Sequence, residues 1–282
     1  MPELPDVEWA ARQLRAWLRG AVVRSARSTD RRVLRPTSPA AFGRALSGRR
    51  VRGVSRRGKW LRIELDDGHR LFSHLGMTGS WVERDAGAGP ERHERARIDV
   101  ARDDGRRSSL RYVDARRLGR LVLAREDIPE WRALGPDPLA DGVDARSLAV
   151  PLGRSRRAVK DMLLDQSVLA GVGNVLATEA LWAAGIDPRS RSDALSRRDV
   201  AKIVRGLRAA IERDLARDRP GCGAEGASPE GAHSAYGRAG QPCPRCGAPL
   251  VRQMLAGRST TFCPRCQVRR TSVRAARARD DA

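Results

Sequence analysis

The stretch 243–266, CPRCGAPLVRQMLAGRSTTFCPRC, sets two Cys-x2-Cys knuckles, Cys243/Cys246 and Cys263/Cys266, with sixteen residues between them. Two hairpin turns that each offer two thiolates at this spacing suit one tetrahedral ion, and four thiolates suit zinc; iron satisfies the same spacing. Four protein ligands leave no open coordination position. The reading is therefore one structural Zn2+ ion, which supplies the stability that a hairpin this small lacks. Between the knuckles, Ala256-Gly257-Arg258-Ser259-Thr260 forms a polar tip. Arg258 there could present a guanidinium to a phosphate or simply lie in solvent.

The surrounding chain has 282 residues, which favours two compact units over one. Lys+Arg 55 against Asp+Glu 34 leaves +21 at pH 7, and 40% hydrophobic content excludes a wholly disordered polycation. A field of that sign concentrates polyanions, so nucleic acid or an anionic membrane surface leads the possible partners. Arginine carries nearly all of the charge; the lysines are Lys59, Lys160 and Lys202. The first eight residues hold Glu3, Asp6 and Glu8 and show no export leader, so the expected location is the cytoplasm. The apolar run 168–186 contains Asn174, Thr178 and Glu179, which argues against a membrane span. In that setting the four paired cysteines point to metal over disulfides, and Cys222 is left without a part.

Periodicity orders the rest. Pro5 to Gly20 reads as a helix, with Pro in the first turn and Val7, Ala10, Leu14, Trp17 and Leu18 at helical spacing. From Ala21 to about Ala124 the period becomes two, clearest in Leu61, Ile63, Leu65 and in Leu110, Tyr112, which predicts an antiparallel β-rich half. Leu134 to Pro151 has no sustained period and reads as a linker. Beyond it, Val159–Leu164, Val175–Ala184 ended by Gly185, and Asp199–Leu215 are candidate helices. The expected division is a domain over 1–133, a linker over 134–151, a helical domain over 152–235, the cysteine segment over 236–270 and a frayed tail over 271–282.

The opening Met1-Pro2-Glu3-Leu4-Pro5 carries a distinct chemistry. Removal of Met1 would expose the secondary amine of Pro2 beside a carboxylate. An α-amino group titrates near pH 7.7–8.0, far below lysine, so part of it is nucleophilic at neutral pH without burying any side chain. The positive end of the helix starting near Pro5 favours that unprotonated form and an ionised Glu3. The plainer alternative is that the prolines only shape and cap the chain.

Pro2-Glu3-Leu4-Pro5-Asp6-Val7-Glu8 resembles the opening of the formamidopyrimidine-DNA glycosylase and endonuclease VIII family of DNA repair enzymes. Four further stretches resemble that family in the same order: 57–60 (RGKW), 74–80 (HLGMTGS), 170–174 (AGVGN) running on to 179–181 (EAL), and 236–238 (YGR) leading into the cysteines. Together they extend over nearly the whole chain, and the formamidopyrimidine branch fits better.

The resemblance implies an α+β multi-domain fold: an N-terminal β-sandwich with a leading helix, then a helix-two-turn-helix domain with a four-cysteine zinc-finger hairpin. It also implies an enzyme, working as a monomer, that binds double-stranded DNA in a basic cleft. It would remove oxidised bases and cut the strand at the abasic site. By the same resemblance Pro2 is the nucleophile that attacks C1′, Glu3 the acid acting on the sugar, Lys59 the assistant of the first elimination and Arg258 of the second. His74, Met77, His93, Arg116, Leu118, Arg154, Arg156 and Asn174 match DNA-contacting positions, and the four cysteines match the zinc ligands. Asn174 could hold a phosphate at a helix start or act as an ordinary N-cap.

Three features depart from the family pattern. Leu118 stands where the third residue filling the emptied base stack is usually aromatic; a branched aliphatic can still wedge into a base step. The loop after Leu215 looks short, and Ser155 falls near a position usually held by lysine. A non-catalytic paralogue that binds damaged DNA, a glycosylase preferring oxidised pyrimidines, and more remotely an RNA-binding zinc ribbon share the charge and the cysteines. The Pro2/Glu3 pair separates enzyme from binder, and 4% aromatics with no interleaved stacking motif weigh against the ribbon.

Overall fold

A computed structural model describes residues 2–217 and 233–271, which fall into two compact units, 2–132 and 133–217 with 233–271.

In the first unit the leading helix α1 (Leu4–Leu18) places Val7, Ala10, Ala11, Leu14 and Leu18 in the core, the face that the sequence spacing predicts. Eight strands follow: β1 (Ala21–Ser28), β2 (Val51–Arg57), β3 (Trp60–Leu65), β4 (Arg70–His74), β5 (Gly79–Asp85), β6 (Glu94–Arg102), β7 (Arg107–Asp114) and β8 (Arg120–Ala124). They form two four-stranded antiparallel sheets, ordered β1-β6-β7-β5 and β2-β3-β4-β8. Val23, Trp81, Ile98, Leu110 and Tyr112 of one sheet share a core with Leu61, Ile63, Leu71 and Leu121 of the other, so this unit is a β-sandwich. A helix that period-two reading had not separated, α2 (Pro39–Leu46), starts at an N-cap where the Ser38 hydroxyl accepts from Ala41 N, and it buries Phe42 and Leu46. A four-residue helix, α3 (Pro129–Arg132), ends the unit.

The second unit is helical before it reaches the cysteines. The stretch read as a linker is not all irregular, since α4 (Ala145–Gly153) starts inside it and runs past its end. Asp144 and Ser147 form a reciprocal capping box, and Leu148 and Leu152 are buried one turn apart. Pro151, taken as the end of the linker, sits in the last turn of this helix. α5 (Val159–Leu164) and α6 (Asn174–Ala184) are joined through two turns over 165–173. The Gln166 side chain ties that connection: Nε2 donates to the Leu164 and Val172 carbonyls, and Oε1 accepts from Gly171 N. This is the helix-two-turn-helix of the expected fold. α7 (Arg197–Leu215) begins at the Ser196/Asp199 capping box and packs on α6, where Gly206 lies so close to the Ala180 carbonyl that a Cβ would sit 2.8 Å from its oxygen. β9 (Val251–Leu255) and β10 (Arg258–Phe262) form the hairpin between the cysteine knuckles. Among the described residues no helix is long and apolar enough to cross a membrane. Cys222, most of the segment after Leu215 and the tail beyond 271 lie outside the described residues.

Candidate active site and metal centre

Pro2 stands just before the N-cap of α1, and Glu3 is that cap, 4% exposed. Glu3 N donates to Asp6 Oδ2 at 2.7 Å, half of a reciprocal capping box that fixes the backbone next to Pro2. Pro5 serves the first turn, as the capping reading of the prolines expects, while Pro2 stands outside the helix.

Lys59 occupies the two-residue turn between β2 and β3, where Gly58 takes φ +56°, a conformation that side-chain-bearing residues rarely adopt. The Gly58 carbonyl accepts from Arg56 Nη1 at 3.0 Å, and Arg56 Nε donates to Glu8 of α1 at 2.9 Å. The helix that carries Pro2 and Glu3 is thereby linked to the turn that carries Lys59. Burial opposes ionisation of Glu8, but hydrogen bonds from Arg56 and Arg15 outweigh it and hold the carboxyl below its usual range.

His74 ends β4 and packs edge-on against Trp60, with ring centroids 5.0 Å apart. Its Nδ1 accepts from Gly76 N at 3.0 Å. Burial first, then the charges of Lys59 and Arg120, bring its pKa down to about 4, so at neutral pH it is an uncharged brace for the following turn. That turn exposes Met77 (37%), and the loop after β7 exposes Leu118 (49%) and Arg116. His93 is also exposed, with φ +63°.

In the second unit Asn174 is the first residue of α6; Gly173 is the N-cap, so the simple N-cap reading of Asn174 does not hold. Its Nδ2 donates instead to the Ser259 carbonyl at 2.9 Å, next to Arg258. Lys160 is fully buried, and its Nζ donates to the Thr260 hydroxyl. β10, which begins with Arg258, is therefore tied to the N-terminal end of α6 and to α5. Leu255 and Arg258 pair across a tight turn in which Ala256 and Gly257 take φ +47° and +71°. Arg154 and Arg156 are exposed around the end of α4.

Cys243, Cys246, Cys263 and Cys266 place their four sulfurs within 4.8 Å of one another. Cys246 and Cys263 lie 3.6 Å apart, close to the ~3.8 Å that Zn–S bonds of about 2.3 Å give in a tetrahedron. Around Cys243, amide N–H groups of Arg245 and Cys246 and the Trp182 side chain overcome burial and bring the thiol down to about 6. Burial and the neighbouring sulfurs push Cys266 up to about 12, so full ionisation of the set calls for a cation in its midst. The donors fit a closed zinc site.

Family models match in this order along the chain: the formamidopyrimidine-DNA glycosylase N-terminal domain over 1–121, the formamidopyrimidine-DNA glycosylase H2TH domain over 134–224, and the zinc finger found in FPG and IleRS over 240–268. The chain belongs to the formamidopyrimidine-DNA glycosylase family. It is 40% identical over 277 residues to the formamidopyrimidine-DNA glycosylase of Roseiflexus sp. (strain RS-1), with 95% of this chain and 100% of that protein covered. It is 42% identical over 263 residues to the protein of that name from Moorella thermoacetica, covering 89% and 94%. Among solved structures, the Lactococcus lactis Fpg in complex with abasic-site DNA matches with a TM-score of 0.83 at 30% identity, covering 94% of this chain and 99% of that one. The zinc finger thus holds one structural zinc ion on Cys243, Cys246, Cys263 and Cys266.

Sequence reading passed over four positions. Glu8 and Arg56 fall inside or beside quoted motifs, yet their pairing spans forty-eight positions and needed the fold. Lys160 stands out in the sequence only as one of three lysines, and Asp114 only as one carboxylate among many. A carboxylate at the next inward position of the Leu110, Tyr112 alternation was the available signal for Asp114.

Proposed function

We infer that this protein is a base-excision repair enzyme, a bifunctional DNA glycosylase and abasic-site lyase that acts on double-stranded DNA carrying oxidised bases. The observation that carries the reading is the complete set of family domains joined to a Pro2-Glu3 pair at the cap of α1. It would work as a monomer in the cytoplasm, on chromosomal DNA.

In this reading the Pro2 nitrogen, freed by removal of Met1, donates its lone pair to C1′ of an extruded nucleotide. The N-glycosidic bond breaks and the base leaves with the bonding pair. The ammonium so formed gives up its proton, the restored lone pair forms a C1′=N bond as the C1′–O4′ bond breaks, Glu3 protonates the departing ring oxygen, and the opened sugar is held as an iminium. The cation acidifies C2′–H, and with Lys59 assisting, loss of that proton expels the 3′ phosphate; a second elimination, assisted by Arg258, releases the sugar remnant. Capping by Asp6 and the Glu8–Arg56–Gly58 link hold the groups of the first unit in place. Met77, Arg116 and Leu118 fill the vacated stack, and His74, His93, Arg154, Arg156 and Asn174 serve the DNA backbone or its surroundings. Zinc supplies rigidity to the hairpin that carries Arg258.

The test is borohydride trapping on DNA with 8-oxoguanine or an abasic site. A covalent complex is expected from the wild-type chain, and Pro2→Gly should abolish efficient trapping. Binding without trapping on any oxidised base or abasic site would instead identify a non-catalytic binder.

A further inference from the structure

The side chains offered to the emptied base stack come from separate parts of the chain. Met77 lies in the turn between β4 and β5, and Arg116 and Leu118 in the loop after β7; a third place, just before β6, holds His93, a DNA contact outside the stack. Asp114, the last residue of β7 and fully buried, is bonded to all three places. Its amide donates to the His93 carbonyl at 3.0 Å. Its Oδ1 accepts from the hydroxyl of Thr78, the neighbour of Met77, and from the amide of Arg116 at 3.2 Å. Its Oδ2 accepts at 2.7 Å from the amide of Gly119, the neighbour of Leu118. The Asp114 carbonyl is itself held by Arg95 Nε at 2.8 Å.

The two wedge-bearing segments also touch directly. A Cβ on Gly76 would lie 2.4 Å from the carbonyl carbon and oxygen of Leu118, so the Met77 turn lies backbone-to-backbone against the 115–119 loop. Arg116 N further reaches Thr78 Oγ1 at 3.2 Å. On its outer side the loop is pinned by Arg117, at φ +56°, whose Nε lies 2.9 Å from the buried Asp30 carboxylate.

We propose that Asp114 is the positioning residue that makes Met77, Arg116 and Leu118 a single preformed wedge. The proposal rests on the glycosylase reading above. A wedge must displace a stacked, paired nucleotide, so any freedom in its parts is lost on insertion and subtracts from the work it can do. A carboxylate that accepts from a hydroxyl and two amides removes that freedom before DNA arrives, and it joins segments that lie more than thirty residues apart in the chain. Thr78 is the link between the carboxylate and the Met77 turn.

The experiment compares single-turnover base release from a paired 8-oxoguanine with borohydride trapping at an abasic site in the same duplex. Extrusion is least costly where the base is already gone, so loss of a preformed wedge must weigh on the first reaction more than on the second. For Thr78→Val, base release should slow by about tenfold, as expected from one lost hydrogen bond to a charged group, while abasic-site trapping changes by less than about twofold. Thr78→Ser should restore the wild-type rate, and Asp114→Asn should behave like Thr78→Val or more severely. Equal losses on both substrates, or no loss in Thr78→Val, would overturn the proposal. If the wild-type chain traps neither substrate, the glycosylase reading itself fails, an outcome separate from a wild type that traps and variants that match it.

Discussion

Glu8 and Arg56 meet at 2.9 Å in a pair whose side chains are 12% and 2% exposed, and the pair bridges α1 to the turn that carries Lys59. Arg15 at 3.1 Å and Arg12 at 3.3 Å share the other Glu8 oxygen. Glu8 is the carboxylate that these three guanidiniums share, and breaking a buried ion pair by removing one member typically costs about 3–5 kcal/mol. Glu8→Ala should therefore lower stability to chemical denaturation by about 3 kcal/mol. It should also slow elimination at a preformed abasic site, because the Gly58 carbonyl loses its anchored donor. A Glu8→Leu, Arg56→Met double variant should recover most of the stability without recovering elimination. An unchanged denaturation midpoint in Glu8→Ala would refute the coupling.

Acid should weaken the first unit in two stages. His74 titrates near 6.5 when unfolded and at about 4 when folded, so the unfolded chain takes up its proton first. Stability is full above pH 6.5 and declines as pH falls towards 4. Glu8, with a folded pKa below its ordinary 4.5, contributes stability above that value which disappears as pH drops through the folded pKa. His74→Gln should flatten the upper stage of a melting-temperature profile and leave the lower one. An unaltered upper stage would mean that another group governs it.

The local elements could be read without the fold. α5 was expected at Val159–Leu164 and forms there, and the end of α6 at Gly185 followed from helical spacing closed by glycine. The zinc ligands were legible because metal geometry constrains sequence spacing directly. α4 was not, because Pro151 and Gly142 mask a helix whose start depends on a side-chain cap at Asp144. The groups that hold the site in place, Glu8 with Arg56, Asp114 with Thr78, and Lys160 with Thr260, are buried or half-buried polar pairs between distant positions. No local period announces such pairs, since each residue alone looks like one more charged or hydroxyl side chain in a strongly polar chain.

Binding to undamaged duplex should depend steeply on salt. A protein that neutralises several phosphates releases their counterions, and six to ten contacts correspond to a loss on the order of a thousandfold or more between 50 and 200 mM salt. Arg154→Ala and Arg156→Ala should each weaken binding across sequences and reduce the slope of log affinity against log salt by about one. Both side chains are exposed at the end of α4. A slope that stays unchanged in the double variant would remove these arginines from the interface.

Arg258 and Cys263 separate two consequences of the hairpin. Arg258→Ala keeps the four thiolates and the ties from Asn174 to Ser259 and from Lys160 to Thr260. Base release and the first elimination should then proceed, and the product should retain the sugar remnant that the second elimination would remove. Cys263→Ser withdraws a buried zinc ligand, and structural zinc supplies about 10–16 kcal/mol of apparent folding free energy to such hairpins. The expected result is loss of stoichiometric zinc together with weakened DNA binding and a block of both eliminations. Gel separation of the cleavage products, read beside zinc content by mass spectrometry, distinguishes the two variants. If Arg258→Ala gave the same end products as wild type, Arg258 would have no part in the second elimination; full zinc content in Cys263→Ser would mean that three thiolates suffice to hold the ion.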